Sequence, residues 1–186
     1  MKSQDIYILI KLVCLQQSNK TAAKASDEQD SRYSVRGLSA ALGVGKSEVS
    51  ASLRRSIDVG MANPDRKTGY LKANKQALLE FIVHGLKYVF PAKPAEIVRG
   101  LPTGFSAPML EGKLQSLGDY ILVWPYSHGN AKGQSVQPLF KSVPEAVLRD
   151  ERLYAYLALV DAIRIGNPRE ANLAAKLFEK RLMSDG

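Results

Sequence analysis

The sequence predicts an α+β fold, mainly helical, on three observations. Apolar residues recur at three- and four-residue intervals near both ends of the chain, the period of a helix with one buried side. Between them lie short apolar runs broken by Gly, Pro, Asn and Asp, the pattern of strands and tight turns. The 186 residues, 45% hydrophobic and 24% charged, suffice for one good core or two small ones sharing an interface.

Ile6, Leu9, Ile10, Val13 and Cys14 predict an amphipathic helix at about 4–17. Residues 18–32, SNKTAAKASDEQDSR, hold no large apolar side chain and read as a flexible surface loop. Val35, Leu38, Ala41 and Leu42 make a short helix ended by Gly43. A second helix starts near Lys46, with Val49, Leu53 and Ile57 inward, and Gly60 ends it. Residues 60–73 read as two short strands around the turn from Asn63-Pro64-Asp65 to Gly69. Asn74 caps a helix from Lys75 to about Phe90, stopped by Pro91, with Leu78, Leu79, Ile82, Val83, Leu86 and Phe90 as its stripe.

The region 91–119 carries Pro94, Pro102 and Pro108, has no clear period and receives no assignment. Residues 120–126 and 134–140 flank HGNAKG and predict a hairpin. Pro125 and Pro138 each remove a ladder donor, so its strands should be edges or interrupted. Ser142-Val-Pro-Glu145 reads as a capping box opening a helix or helix pair to about Ile165. Asn167-Pro-Arg-Glu170 caps a last helix with Leu173, Leu177, Phe178 and Leu182 on one side. A boundary near 74 would separate an N-terminal domain (1–74) from a C-terminal α+β part (75–186).

The charge is unevenly spread. The chain carries +8, and residues 32–75 hold nine Lys/Arg against three acids, a net of +6. Residues 1–31 balance four against four, and residues 76–186 hold thirteen against eleven. An excess concentrated in 44 residues points to a polyanionic partner for that segment. No apolar run approaches the ~20 residues of a membrane span. Ile6 to Ile10 is followed by Lys11 without a small-residue cleavage site, so no signal peptide is expected. Cys14 is the single cysteine, which excludes an internal disulfide and makes the cytoplasm the expected compartment.

The stretch Gly43-Val-Gly-Lys-Ser47 invites two incompatible readings. As the end of a phosphate-cradling loop it lacks the first glycine, where Ala40 stands, and a helical segment replaces the required strand. As a helix-turn-helix it accounts for more residues. Gly43 supplies the left-handed turn, Val44 tucks between the helices, Gly45 takes the N-cap position and Glu48 favours the helix start. The outward face of the second helix is then Lys46, Ser47, Ser50, Ala51 and Arg54, with Arg55 at its margin. Small residues allow close approach to a groove floor, while Lys and Arg reach guanine edges or phosphates.

The stretch YSVRGLSAALGVGKSEVSASLRRSIDVGMANPDRKTGYLKA resembles the winged helix-turn-helix transcription regulators of bacteria and archaea, MarR-type and related, over about residues 33–73, or 4–73 with the first helix. The resemblance implies a second helix in the major groove and a hairpin wing, tipped here by Arg66 and Lys67, on the backbone or minor groove. The fifteen-residue loop after the first helix departs from that pattern.

Other candidates have plainer explanations. Cys14 sits on an apolar stripe as a core residue. Glu80 and His84, one turn apart, form an incomplete ligand pair, and His128 falls in a turn. Trp124, Tyr120, Tyr126 and Phe140 fit core filling, and no serine sits in a glycine elbow. The wide apolar faces within 150–183 suit an internal core or a dimer seam.

The expected function is that of a sequence-specific regulator binding double-stranded DNA as a homodimer at a pseudo-palindromic operator, with no catalysis, metal or cofactor. Lys46, Ser47, Ser50 and Arg54 are the candidates for base contacts, with Ala51 beside them. Arg36, Arg55, Arg66, Lys67 and Lys72 are the candidates for phosphate. The rivals are an adaptor that binds RNA or a protein through the same fold, a small-molecule effector site within 91–140, and an enzyme, for which no constellation is present.

Overall fold

The first helix, α1 (Ser3–Thr21), is buried on all sides rather than on one. In the computed structural model, which describes residues 1–21, 31–110 and 121–184, Ile6 to Ile10, Leu12 and Val13 have no exposed surface. The amphipathic helix expected over 4–17 is corrected accordingly: Ile8, Leu12 and Leu15 fill the side its period left for solvent. The expected loop at 18–32 is corrected too, since 18–21 continue α1 and 31–33 are helical, while 22–30 lie outside the described residues.

Several polar groups of α1 are paired. Lys11 Nζ meets Asp150 at 2.7 Å. Gln17 donates to the Arg181 carbonyl at 2.8 Å and accepts from the Tyr156 hydroxyl at 3.1 Å. Cys14 is core, and burial pushes its thiol up to about 12, so it is inert as a nucleophile.

The chain continues through α2 (Val35–Leu42), α3 (Lys46–Asp58) and an antiparallel pair, β1 (Ala62–Pro64) and β2 (Leu71–Ala73), in the register Asn63 to Lys72. Asn74 then caps α4, its side chain accepting from the Ala77 N–H at 3.2 Å. This helix runs Lys75–Glu80, widens into a π segment at Phe81–Gly85 and closes with Leu86–Val89. Leu78, Leu79, Ile82 and Leu86 form its buried stripe, as the spacing predicts, with Val83 and Phe90 half-buried.

The proline-rich stretch without a period contains β3 (Ile97–Pro102) and two single 3-10 turns, Gly104–Ser106 and Pro108–Leu110. With β4 (Leu122–Pro125) and β5 (Ala131–Ser135) it closes a small three-stranded barrel. The expected hairpin at 120–140 does not form. β4 and β5 run parallel to one another, and each pairs antiparallel with a different half of β3. Gly100 is the crossing point, in register with both Pro125 and Ala131. A Cβ there would stand 2.0 Å from the Trp124 carbonyl oxygen, so only glycine lets the strands meet.

The remaining helices are α5 (Val143–Val147), α6 (Glu151–Ile165) and α7 (Pro168–Met183). The capping box at Asn167 and Glu170 forms as expected, with both reciprocal hydrogen bonds present. The one at Ser142 does not, because its hydroxyl donates instead to the Leu42 carbonyl at 2.5 Å. On α7, Ala174, Phe178 and Leu182 are buried, whereas Leu173 faces outward.

α6 is buried from Ala155 through Arg164 and packs on α1, so two largely buried helices make the centre. Each fully buried Ile or Leu stabilises the fold by about 1.5–3 kcal/mol. One hydrophobic core extends from Ile6 through Leu42, Leu78 and Trp124 to Leu182, continuous across residue 74.

Asp161 of α6 anchors the barrel to that core. Its carboxylate accepts from Thr103 Oγ1 at 2.8 Å, Trp124 Nε1 at 2.6 Å and Arg164 at 2.7 and 3.1 Å. Arg164 also donates to the Gln137 and Phe90 carbonyls. Burial pushes the Asp161 carboxyl upward, against the pull of Arg164, Thr103 and Trp124. No helix of the described residues is long and apolar enough to cross a membrane.

Candidate nucleic-acid interface

The basic segment folds as helix, turn, helix and hairpin. The Ser34 hydroxyl opens α2 by accepting from the Gly37 N–H at 3.0 Å. Gly43 ends it with φ +64°, donating to the Ser39 carbonyl. Val44 follows, 1% exposed, under the turn between the two helices. The turn is tied down from two directions, because the Leu42 carbonyl accepts from both the Tyr7 hydroxyl at 3.1 Å and the Ser142 hydroxyl.

Gly45 precedes α3 without any side-chain cap, and its Cβ position is open to solvent. The buried side of α3 is Val49, Ser52 and Ser56. The inward stripe expected from sequence, Val49, Leu53 and Ile57, is therefore corrected. Leu53 is half-buried and Ile57 is 42% exposed. The physical reason is Asp5. It lies fully buried on α1, and Arg55 grips it with two hydrogen bonds, Nε to Oδ2 at 2.9 Å and NH2 to Oδ1 at 2.6 Å. That ion pair rolls the small serines, rather than the larger aliphatic residues, against α1. Burial raises the Asp5 carboxyl, but Arg55 and the Lys2 N–H outweigh it and hold it below its ordinary value.

On the outer face of α3, Lys46, Ser47 and Arg54 are exposed, and Ser50 and Ala51 are half-buried between them. Spaced at 46, 47, 50, 51 and 54, they share one side of the helix. Arg55 stands at their margin, its guanidinium bonded to Asp5 and its side chain 30% exposed.

The hairpin turn is built on Asp65. Its carboxylate accepts from the N–H groups of Lys67 and Thr68, each at 2.9 Å, from the Thr68 hydroxyl and from Lys72 Nζ. Lys72 and these donors hold the Asp65 carboxyl well below the usual carboxylate range. Lys72 is thereby already paired, while Arg66 and Lys67 project into solvent at the tip. Gly69 closes the turn with φ +72°. Behind it, Tyr70 stacks on Tyr33, ring centroids 4.7 Å apart and planes nearly parallel, which ties the hairpin root to the start of α2. Arg36 is exposed on the first turn of α2.

Sequence reasoning missed Asp5, Ser52, Ser56 and the Tyr33–Tyr70 stack. The one available signal was an acid directly ahead of an apolar run, Asp5 before Ile6-Tyr7-Ile8-Leu9-Ile10. In comparison with known proteins, the chain matches no family model, no curated protein and no solved structure.

Proposed function

We propose that this chain is a winged helix-turn-helix regulator that binds duplex DNA through α3 and the β1–β2 hairpin. The carrying observation is the outer face of α3: small residues at its middle, exposed Lys46 and Arg54 at its ends, and a rigid anchor behind it at Asp5–Arg55. A helix of that profile enters a major groove closely enough for Arg54, Lys46, Ser47 and Ser50 to make base or near-base contacts. Arg66 and Lys67 at the hairpin tip, with Arg36 on α2, meet backbone phosphates, supplying affinity without sequence information. The functional unit is a homodimer on a pseudo-palindromic operator, its two α3 helices about 34 Å apart.

The test is selection of bound duplexes from a randomised pool, followed by gel shifts. Arg54→Ala should weaken specific binding by ~1–3 kcal/mol and blur the preference at one base position. Unchanged affinity and preference in that variant would reject the reading. Selected sites with paired half-sites would report the dimer, and equal competition by RNA across salt would favour an RNA-binding adaptor instead.

A further inference from the structure

We propose that the outer face of the small barrel, at Arg99 and Lys132, binds a phosphate group, independently of α3. The two residues stand directly opposite each other in the antiparallel β3–β5 register, between Val98–Gly133 and Gly100–Ala131. Side chains so placed emerge on the same face with Cβ atoms about 5 Å apart, and like charges in that position repel. Neither cation forms a salt bridge among the described residues, and both are exposed. Glu96 lies in the bend before β3, and neither cation is paired with it. Two cations without a salt bridge among the described residues, within reach of one point, supply charge complementary to a phosphate group.

The surroundings give that point a shape. The pair lines a concavity of about 470 Å³ together with Ile97, Gly129 and Asn130, within the size range of small-ligand sites. Its floor is backbone, because Gly129 is pressed against β3. A Cβ at that glycine would stand 2.1 Å from the Gly100 carbonyl oxygen. Asn130 offers an exposed amide beside the cations, and Ile97, 52% exposed, offers an apolar shoulder for the group that bears the phosphate. The phosphate belongs either to a small phosphorylated metabolite such as a nucleotide or to a nucleic-acid backbone.

The experiment is a titration of the ¹⁵N-labelled full chain with pyrophosphate, with AMP and with a short duplex DNA, reading the amide resonances of Arg99, Gly129, Asn130 and Lys132. Saturable shifts of these four are expected, with a midpoint that rises with salt and weakens about tenfold or more in Arg99→Gln/Lys132→Gln. That variant removes a repulsion, so its thermal midpoint should be no lower than wild type, and Arg99→Lys/Lys132→Arg should retain binding. Shifts with pyrophosphate or AMP identify a small-ligand site, and shifts with duplex alone identify a backbone contact. The shifts should persist in Arg54→Ala, which separates this site from the α3 interface. If none of the three ligands moves these amides, the proposal is overturned.

Discussion

Arg55 of α3 closes a two-point clamp on Asp5 of α1, at 2.6 and 2.9 Å, and the acid has no exposed surface while its partner's side chain is 30% exposed. A helix held through a bidentate ion pair is fixed in rotation as well as in position. The clamp therefore helps determine which residues of α3 face outward.

Removing Arg55 leaves the Asp5 carboxylate buried without its partner. Arg55→Ala should destabilise the fold by about 2–3 kcal/mol, below the full cost of a wholly buried pair because the guanidinium is partly hydrated. Asp5→Asn combined with Arg55→Met should lose less than the two single changes added together. Chemical denaturation of the four proteins measures the coupling, and strict additivity would show that the clamp contributes nothing.

Acidity should titrate the same contact. The folded Asp5 carboxyl lies below its ordinary 3.8. A depressed carboxyl contributes stability that is present above its unfolded value and lost as pH falls through its folded value. The thermal-midpoint gap between wild type and Asp5→Asn should thus be widest near neutrality and shrink below about pH 4. Asp65 is also depressed, but it is common to both proteins and cancels in the difference. A gap independent of pH would assign the effect to packing.

The clamp also marks how far the sequence could be read. Local signals were legible: Gly43 as a left-handed stop, Asn74 and Asn167 as caps, Asp65 and Gly69 as the frame of a turn. Each depends on neighbours within four residues, where the physics is local. The rotation of α3 was not legible, because it is fixed by an acid fifty residues away, and apolar spacing favoured Ile57 over Ser56. The barrel was hidden for a similar reason. β3 lies in a stretch whose prolines and glycines erase alternation, and its partners were paired with each other for want of a third strand. The surface positions of Lys46, Arg54 and Arg66 followed from helix and turn periodicity, whereas the pairing of Arg55 could not be foreseen without knowing that Asp5 is its neighbour.

The salt dependence of duplex binding should separate the hairpin cations. Arg66 and Lys67 are exposed with no ion pair among the described residues, while Lys72 is held by Asp65. Replacing Arg66 and Lys67 by Ala should lower the slope of log affinity against log salt by about 2, one per lost phosphate contact. Lys72→Ala should lower it by clearly less than one unit, since its charge is already neutralised within the turn. Equal slopes for all three proteins would remove the hairpin from the interface.

The Asp161 network should respond more sharply than any exposed site. Asp161→Ala strands Arg164, Thr103 Oγ1 and Trp124 Nε1 without their shared acceptor, all of them buried. A loss of about 3–5 kcal/mol is expected, as for a broken buried pair, together with loosening of the barrel seen as faster amide exchange in β4. A loss under about 1 kcal/mol would mean that water replaces the carboxylate there.

Two glycines with the same backbone conformation should behave differently, which isolates the packing of the turn before α3. Gly43 has φ +64° and Gly60 φ +74°, so Ala at either costs about 1 kcal/mol for the left-handed backbone. At Gly60 nothing lies within 4 Å of the added Cβ, and the cost should end there. At Gly43 the added Cβ would meet the Ser142 Cβ at 3.0 Å, so the turn or α5 must give way and the loss should exceed that of Gly60→Ala. Ser142→Gly in the Gly43→Ala background should recover this excess. The Leu42 carbonyl still accepts from Tyr7 when the Ser142 hydroxyl is gone, so no buried acceptor is orphaned by the rescue. Equal losses at the two glycines, or no recovery, would show that the turn is free of α5.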